Sequence, residues 1–189
     1  MEEKLYEWFG ERTIALVGNS KSLIDKNYGE IIDTYDIVCR INRAFHMLPN
    51  RTKYYSKNIG SKTDVFFINQ VRTCGIRPLE VEKYIVIQTT PSPVQGSYRK
   101  HVDLVMSKEF FSRINRNFSE KPSTGMRALL CLDAAKAKQV DVYGFDWKQS
   151  HPSFYGRSSD WGRKGHNFKE EKDYCMKNIF TKENFNWIE

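Results

Sequence analysis

No stretch of this sequence approaches the roughly 18 consecutive apolar residues that suggest a membrane-spanning helix, and the opening MEEKLYEWFG lacks the basic-then-apolar layout of a secretory signal. A soluble, intracellular protein is therefore expected. Cysteine is scarce. The four thiols, Cys39, Cys74, Cys131 and Cys175, lie far apart, with no C-x-x-C pair and no histidines at zinc spacing, so reduced thiols are expected rather than a disulfide framework or a zinc cluster. Repeats, low-complexity tracts and linkers are also missing. The chain has no H-E-x-x-H and no D-x-D, which makes metal binding the weaker option.

What is present is the composition of a globular protein. The 189 residues, 40% apolar and 14% aromatic, exclude a disordered chain and suit a single domain over residues 1–189 that buries its own core. Basic residues are in excess. The net charge of +7 and the pI near 9.2 imply attraction to something anionic, whether a nucleotide, nucleic acid or an acidic glycan, although lysines that merely aid solubility give the same number.

Hydrophobic periodicity places the elements. Thr13–Val17 is a short β-prone run that stops at Gly18, and Ser22 with Asp25 makes a capping-box pattern ahead of a helical face through Asp33. Asp36–Ile41 returns to strand. Asp64–Asn69 and Lys83–Gln88 are further strands, and His101–Met106 is a weaker one. Thr124–Lys138 is the clearest helix and runs into VDVYGF, a buried-strand pattern. Strand, helix, strand at both ends of the chain predicts an α/β fold, a Rossmann-like mostly parallel sheet flanked by helices. Arg43–Lys62 and Lys148–Gly165 read as surface loops.

Polar groups gather where such a sheet binds ligands, at the carboxyl ends of its strands. Gly18-Asn19-Ser20 ends the first strand; it is either part of a ligand site or an ordinary strand-to-helix turn with Asn and Ser as caps. Arg40 and Asn42, two apart, share a face at the end of their strand. Ser123, Thr124 and Gly125 open the best helix, where hydroxyls, backbone N–H groups and the macrodipole can hold a phosphate or carboxylate, or simply cap the helix. His151 and His166, with Glu171 five residues beyond the second, are candidates for acid/base work because imidazole titrates near neutral pH.

In order along the chain, these segments resemble the motifs of the animal-type sialyltransferases, glycosyltransferase family 29. LVGNSKSLIDKNYGEIIDTYDIVCRIN (Leu16–Asn42) is similar to the large sialylmotif, with its G-N-S opening, G-x-x-I-D middle and D-x-V-x-R-x-N close, and IGSKTD (Ile59–Asp64) to its continuation. PSTGMRALLCLDAAKAKQVDVYGF (Pro122–Phe145) resembles the small sialylmotif. His151 is similar to the histidine of the third motif, and His166 with Glu171 to the last.

The resemblance implies a sialyltransferase-type variant of the GT-A fold. It also implies an inverting, metal-independent glycosyltransferase without a cofactor, taking sialic acid or a related acid such as Kdo from a CMP-sugar donor to a glycan acceptor. Asn19 and Asn42 would contact the CMP, within a binding set of Gly18, Asn19, Ser20, Asn42, Ser123, Thr124, Gly125 and Glu171. Ser123, Thr124 and Gly125 would hold the donor's phosphate or sugar carboxylate. His166 would be the general base and His151 would stabilise the departing phosphate, leaving Arg40 to a structural role. A monophosphate leaving group suits such a site, since an imidazolium and a helix N-terminus can neutralise it.

The departures from the family are informative. Its two motif cysteines, which pair in a disulfide, align here with Ile14 and Ala137, as suits a reducing compartment. With no membrane anchor or stem and a short chain, a bacterial or viral protein acting in the cytoplasm is expected. Pro152 follows His151 where the family has an aromatic. Two alternatives stand beside the first reading: a phage-type enzyme that glycosylates DNA or RNA, with salt-sensitive activity, and a non-catalytic nucleotide- or nucleic-acid-binding protein.

Overall fold

In the computed structural model the described residues are 1–42, 52–69, 84–94, 96–147 and 165–189. Seven strands make one sheet: β1 (Thr13–Val17), β2 (Ile37–Ile41), β3 (Val65–Ile68), β4 (Ile85–Gln88), β5 (Leu104–Val105), β6 (Gln139–Tyr143) and β7 (Phe185–Ile188). They run parallel in the order β5-β4-β3-β2-β1-β6-β7. The α/β architecture with a parallel sheet is thus the one expected.

Both faces of the sheet are covered, which is why its strands read as continuous apolar runs. On β1, Ile14 and Leu16 enter one core while Ala15 and Val17 enter the other, the two-residue period of a strand. The first core is closed by α1 (Glu2–Phe9), through Leu5 and Phe9; by α5 (Thr124–Ala134), through Met126, Leu129 and Leu130; and by α6 (Phe168–Asn178), through Cys175. α4 (Lys108–Asn115) adds Phe110 and Ile114, and its N-terminus is capped by Ser107, whose hydroxyl accepts from Phe110 N–H at 3.1 Å. The second core is closed by α2 (Gly29–Asp33) and α3 (Thr52–Ile59) through Ile32 and Ile59.

Several expectations are corrected. The helix expected from Ser22 to Asp33 is split into a 3₁₀ turn, Lys21–Leu23, and α2, and its cap is Ser20, whose Oγ accepts from Ser22 N–H at 3.0 Å. The break is held by Asn58, whose side-chain amide donates to the carbonyls of Ile24 and Lys26. The loop expected over Arg43–Lys62 contains α3. Gly29 makes that packing possible, since a Cβ there would stand 1.8 Å from the Ser56 carbonyl oxygen. The helix expected to reach Lys138 ends at Ala134 because Lys136 takes φ +52°, outside the helical region. A further strand, β7, follows VDVYGF, and Asp141 ties it to β6 by accepting from Asn186 at 2.7 Å; the same carboxylate accepts from Gln139 at 3.0 Å and from the Tyr35 hydroxyl. Residues 43–51 and 148–164, including His151, lie outside the described residues, as does Cys74. Cys39, Cys131 and Cys175 are free and buried, and Ile14 and Ala137 are both in the core.

Candidate functional site

The chain builds outward from β1 to β5, then returns to place β6 on the other side of β1, so the sheet reverses its winding between β1 and β6. The carboxyl ends of the strands at such a reversal are where open α/β sheets bind ligands. Here the backbones close tightly. Gly18 N–H donates to the Tyr143 carbonyl at 2.7 Å and Ser20 N–H to that of Gly144 at 3.3 Å. A Cβ on Gly18 would lie 2.4 Å from the Gly144 oxygen and 2.8 Å from the Phe145 ring, so this contact requires glycine. Ser20 is buried as the cap of the 3₁₀ turn, and Asn19 reaches across to β2, its Nδ2 donating to the Ile41 carbonyl at 3.5 Å.

Asn42 follows directly. It takes φ +46°, a left-handed conformation that asparagine tolerates better than most residues, and its Oδ1 accepts from Asn69 N–H at 3.0 Å. Arg40 does not join it. With only 2% of its surface exposed, its Nη2 donates to the carbonyls of Ile59 (2.8 Å) and Lys62 (2.9 Å) and its Nε to Thr63 Oγ1 (2.8 Å). From the other side, Asp33 accepts from the N–H groups of Ser61 and Lys62, each at 2.9 Å. Much of the G-x-x-I-D and D-x-V-x-R segments therefore holds the turn at 59–63, as expected for Arg40.

The second part of the site is the start of α5. Ser123 Oγ caps the helix by accepting from Met126 N–H at 3.2 Å, while its own N–H and hydroxyl donate to the Glu171 carboxylate at 2.6 and 2.7 Å. Glu171 is 2% exposed. Burial pushes its pKa above the usual carboxylate value, and the Ser123 hydrogen bonds and the nearby His166 and Arg127 pull it back. Gly125 packs against Phe145: a Cβ there would be 2.9 Å from the ring and 3.5 Å from Ile41 Cδ1. Thr124 beside it is buried.

His166 precedes α6, with Nδ1 2.6 Å from the Lys121 carbonyl oxygen. A carbonyl only accepts, so Nδ1 carries the proton; in the neutral ring the lone pair is then on Nε2, as a general base requires. Phe145 and Ile41 bridge the two parts: the Phe145 ring lies against Gly18 and Gly125, while Ile41 accepts from Asn19 through its carbonyl and lies near Gly125 through its side chain.

The structure therefore gathers Gly18, Asn19, Ser20 and Asn42 at the ends of β1 and β2, and joins Ser123, Glu171 and His166 around the start of α5. Three neighbours escaped the sequence reading: Asn69, Arg127 and Phe145. Arg127, a charge in the apolar face of the best helix, was the one visible signal. Among the described residues no group of three or more His, Cys, Asp or Glu side chains could hold a metal ion, and no helix is long and apolar enough to cross a membrane.

The fold is that of the sialyltransferases. A mammalian sialyltransferase superposes with a TM-score of 0.68 over 96% of this chain and 70% of its own at 20% identity. The sialyltransferase CstII from Campylobacter jejuni, in complex with CMP-3FNeuAc, gives 0.51 over 93% of this chain and 73% of its own at 15% identity. Residues 10–76 match the family model for glycosyltransferase family 29 (sialyltransferase). Among relatives, CMP-N-acetylneuraminate-beta-galactosamide-alpha-2,3-sialyltransferase 1 of Gallus gallus is 28% identical over 160 residues, 72% of this chain and 45% of that protein. Beta-1,6-galactosyltransferase GALT29A of Arabidopsis thaliana is 42% identical over 65 residues, 33% of this chain and 15% of that protein. The chain thus spans less than half the length of either relative.

Proposed function

We propose that this protein is a glycosyltransferase that moves a sialic acid, or a related acidic sugar such as Kdo, from a CMP-sugar to a glycan hydroxyl, with inversion and without a metal. The observation that carries the reading is the meeting of Gly18, Asn42 and the start of α5 at one end of a sialyltransferase-type sheet, within a chain whose residues 10–76 match that family's model. Asn19 and Asn42 contact the nucleotide. The α5 N-terminus, with the backbone N–H groups of its first turn and its partial positive charge, receives the donor's phosphate or carboxylate. Glu171 fixes Ser123 in place. His166 Nε2 takes the proton from the acceptor hydroxyl as its oxygen attacks the anomeric carbon, and the bond to CMP breaks on the opposite face. His151 meets the charge that develops on the leaving phosphate. The catalytic domain is residues 1–189, acting in the cytoplasm of a bacterium or a virus-infected host.

A second reading has its own support. The plant relative that shares 42% identity over 65 residues is named a galactosyltransferase, so the same site could serve a different sugar donor. Calorimetric titration separates the two. CMP binding that persists in EDTA supports the first reading, whereas binding of UDP only with magnesium overturns it in favour of the second.

A further inference from the structure

Arg127 lies in the first turn of α5 with 3% of its surface exposed. Its guanidinium stacks over the Phe111 ring, 5.1 Å from the centroid, and its Nε is buried without a hydrogen-bond partner. Burial lowers its pKa to about 10, and the charge of Glu171 opposes that shift, so the group is cationic at neutral pH. A methionine or leucine would fill the same space without the desolvation cost of a buried charge, so packing does not account for an arginine here.

What the guanidinium reaches is Asn69. Nη1 donates to Asn69 Oδ1 at 3.2 Å. The backbone of Asn69 is engaged as well, its carbonyl accepting from Thr90 Oγ1 at 2.7 Å and its N–H donating to Asn42 Oδ1 at 3.0 Å. Through the side chain and the backbone N–H of Asn69, hydrogen bonds therefore link the helix that opens with Ser123 to Asn42, the residue that follows β2. With Oδ1 turned toward the Asn69 N–H, the NH₂ arm of the Asn42 amide is turned away from it.

We propose that Arg127 is a positioning residue for the nucleotide end of the site: through Asn69 it fixes the Asn42 amide so that its NH₂ group meets an oxygen or ring-nitrogen acceptor of the nucleotide. The consequence for binding rests on the CMP reading given above. The relay itself belongs to the ligand-free protein and can be measured there.

Two measurements on Arg127→Met, which keeps the length and the contact with Phe111, test the proposal. Residue-resolved amide exchange without ligand should show position 69 exchanging about tenfold faster, the effect of loosening one hydrogen bond, with the α5 amides of Ala128–Leu132 unchanged. CMP affinity by calorimetry should fall by a similar factor, and Arg127→Lys should restore part of both. Unchanged exchange at position 69, or acceleration shared equally by the α5 amides, overturns the relay in favour of simple packing. Should Arg127→Met fail to fold, Asn69→Ala cuts the same link: faster exchange of the amide at position 69 supports the relay and unchanged exchange refutes it. If the wild-type protein binds no CMP, the donor reading fails, while the exchange result still decides the relay.

Discussion

Glu171 takes both of the hydrogen bonds that Ser123 can give, the N–H at 2.6 Å and the hydroxyl at 2.7 Å, so the start of α5 is anchored by a carboxylate from α6. The serine is thereby committed twice, since the same hydroxyl oxygen also caps Met126 N–H. Ser123→Ala should lower stability by about 1–2 kcal/mol, the usual cost of a lost cap together with a lost buried partner. Urea unfolding monitored by circular dichroism checks it; a change below a few tenths of a kcal/mol would mean that the cap carries no weight.

The raised pKa of Glu171 has a sign that can be tested. The folded state holds its proton more tightly than the unfolded state does, so its contribution to stability is full below the ordinary glutamate value of 4.5 and is lost as pH rises through the folded pKa. Glu171→Gln cannot titrate. Relative to that variant, the wild type should be most stable in acid and lose ground steadily as pH is raised. Denaturation midpoints of both proteins from pH 4 to 8 read the difference; parallel profiles would contradict it.

Two glycines of the site should respond differently to a methyl group. Gly18→Ala sets a Cβ against the Gly144 carbonyl oxygen, a backbone atom that cannot step aside, and should cost about 1–3 kcal/mol while disturbing the β1–β6 junction. Gly125→Ala meets the Phe145 ring, which can shift, and gains helix propensity worth up to about 1 kcal/mol, so its stability should stay near wild type. Thermal melts of the two variants side by side give the comparison, and equal losses would count against this ordering.

His166→Ala should leave CMP affinity within about twofold and lower turnover by about 10²–10⁴, the usual contribution of a general base. A matching loss of CMP affinity would instead place the imidazole on the donor, and unchanged turnover would remove it from the chemistry.

The strands that form the site could be read from the sequence because each is short, apolar and stopped by a glycine or a polar residue, as at Val17-Gly18 and Tyr143-Gly144. Arg40 could be singled out but not placed by spacing alone, because its partners are backbone carbonyls at 59 and 62 that reveal nothing in their side chains. The break after Leu23 was hidden for a similar reason, since it depends on Asn58, more than thirty positions away. α3 was masked by its basic and polar residues; what lets it pack where it does is the bare face of Gly29. Asn42 was recognised by its place in a motif, whereas Asn69 and Arg127, which hold it, belong to no shared spacing and meet only in three dimensions.

The place of β1 has a bearing on how the protein is made. It precedes the other strands of the sheet in the chain, yet its second neighbour, β6, is synthesised only after β2 to β5 have followed. Until then a growing sheet of β1 to β5 carries an open, apolar edge along Thr13–Val17, the kind of edge that pairs with other chains. Pairing across so long a stretch closes slowly. Because Gly18 N–H finds its partner only in Tyr143, a nucleotide has no finished pocket in which to assist the nascent chain, and protection of that edge during synthesis falls to speed or to chaperones.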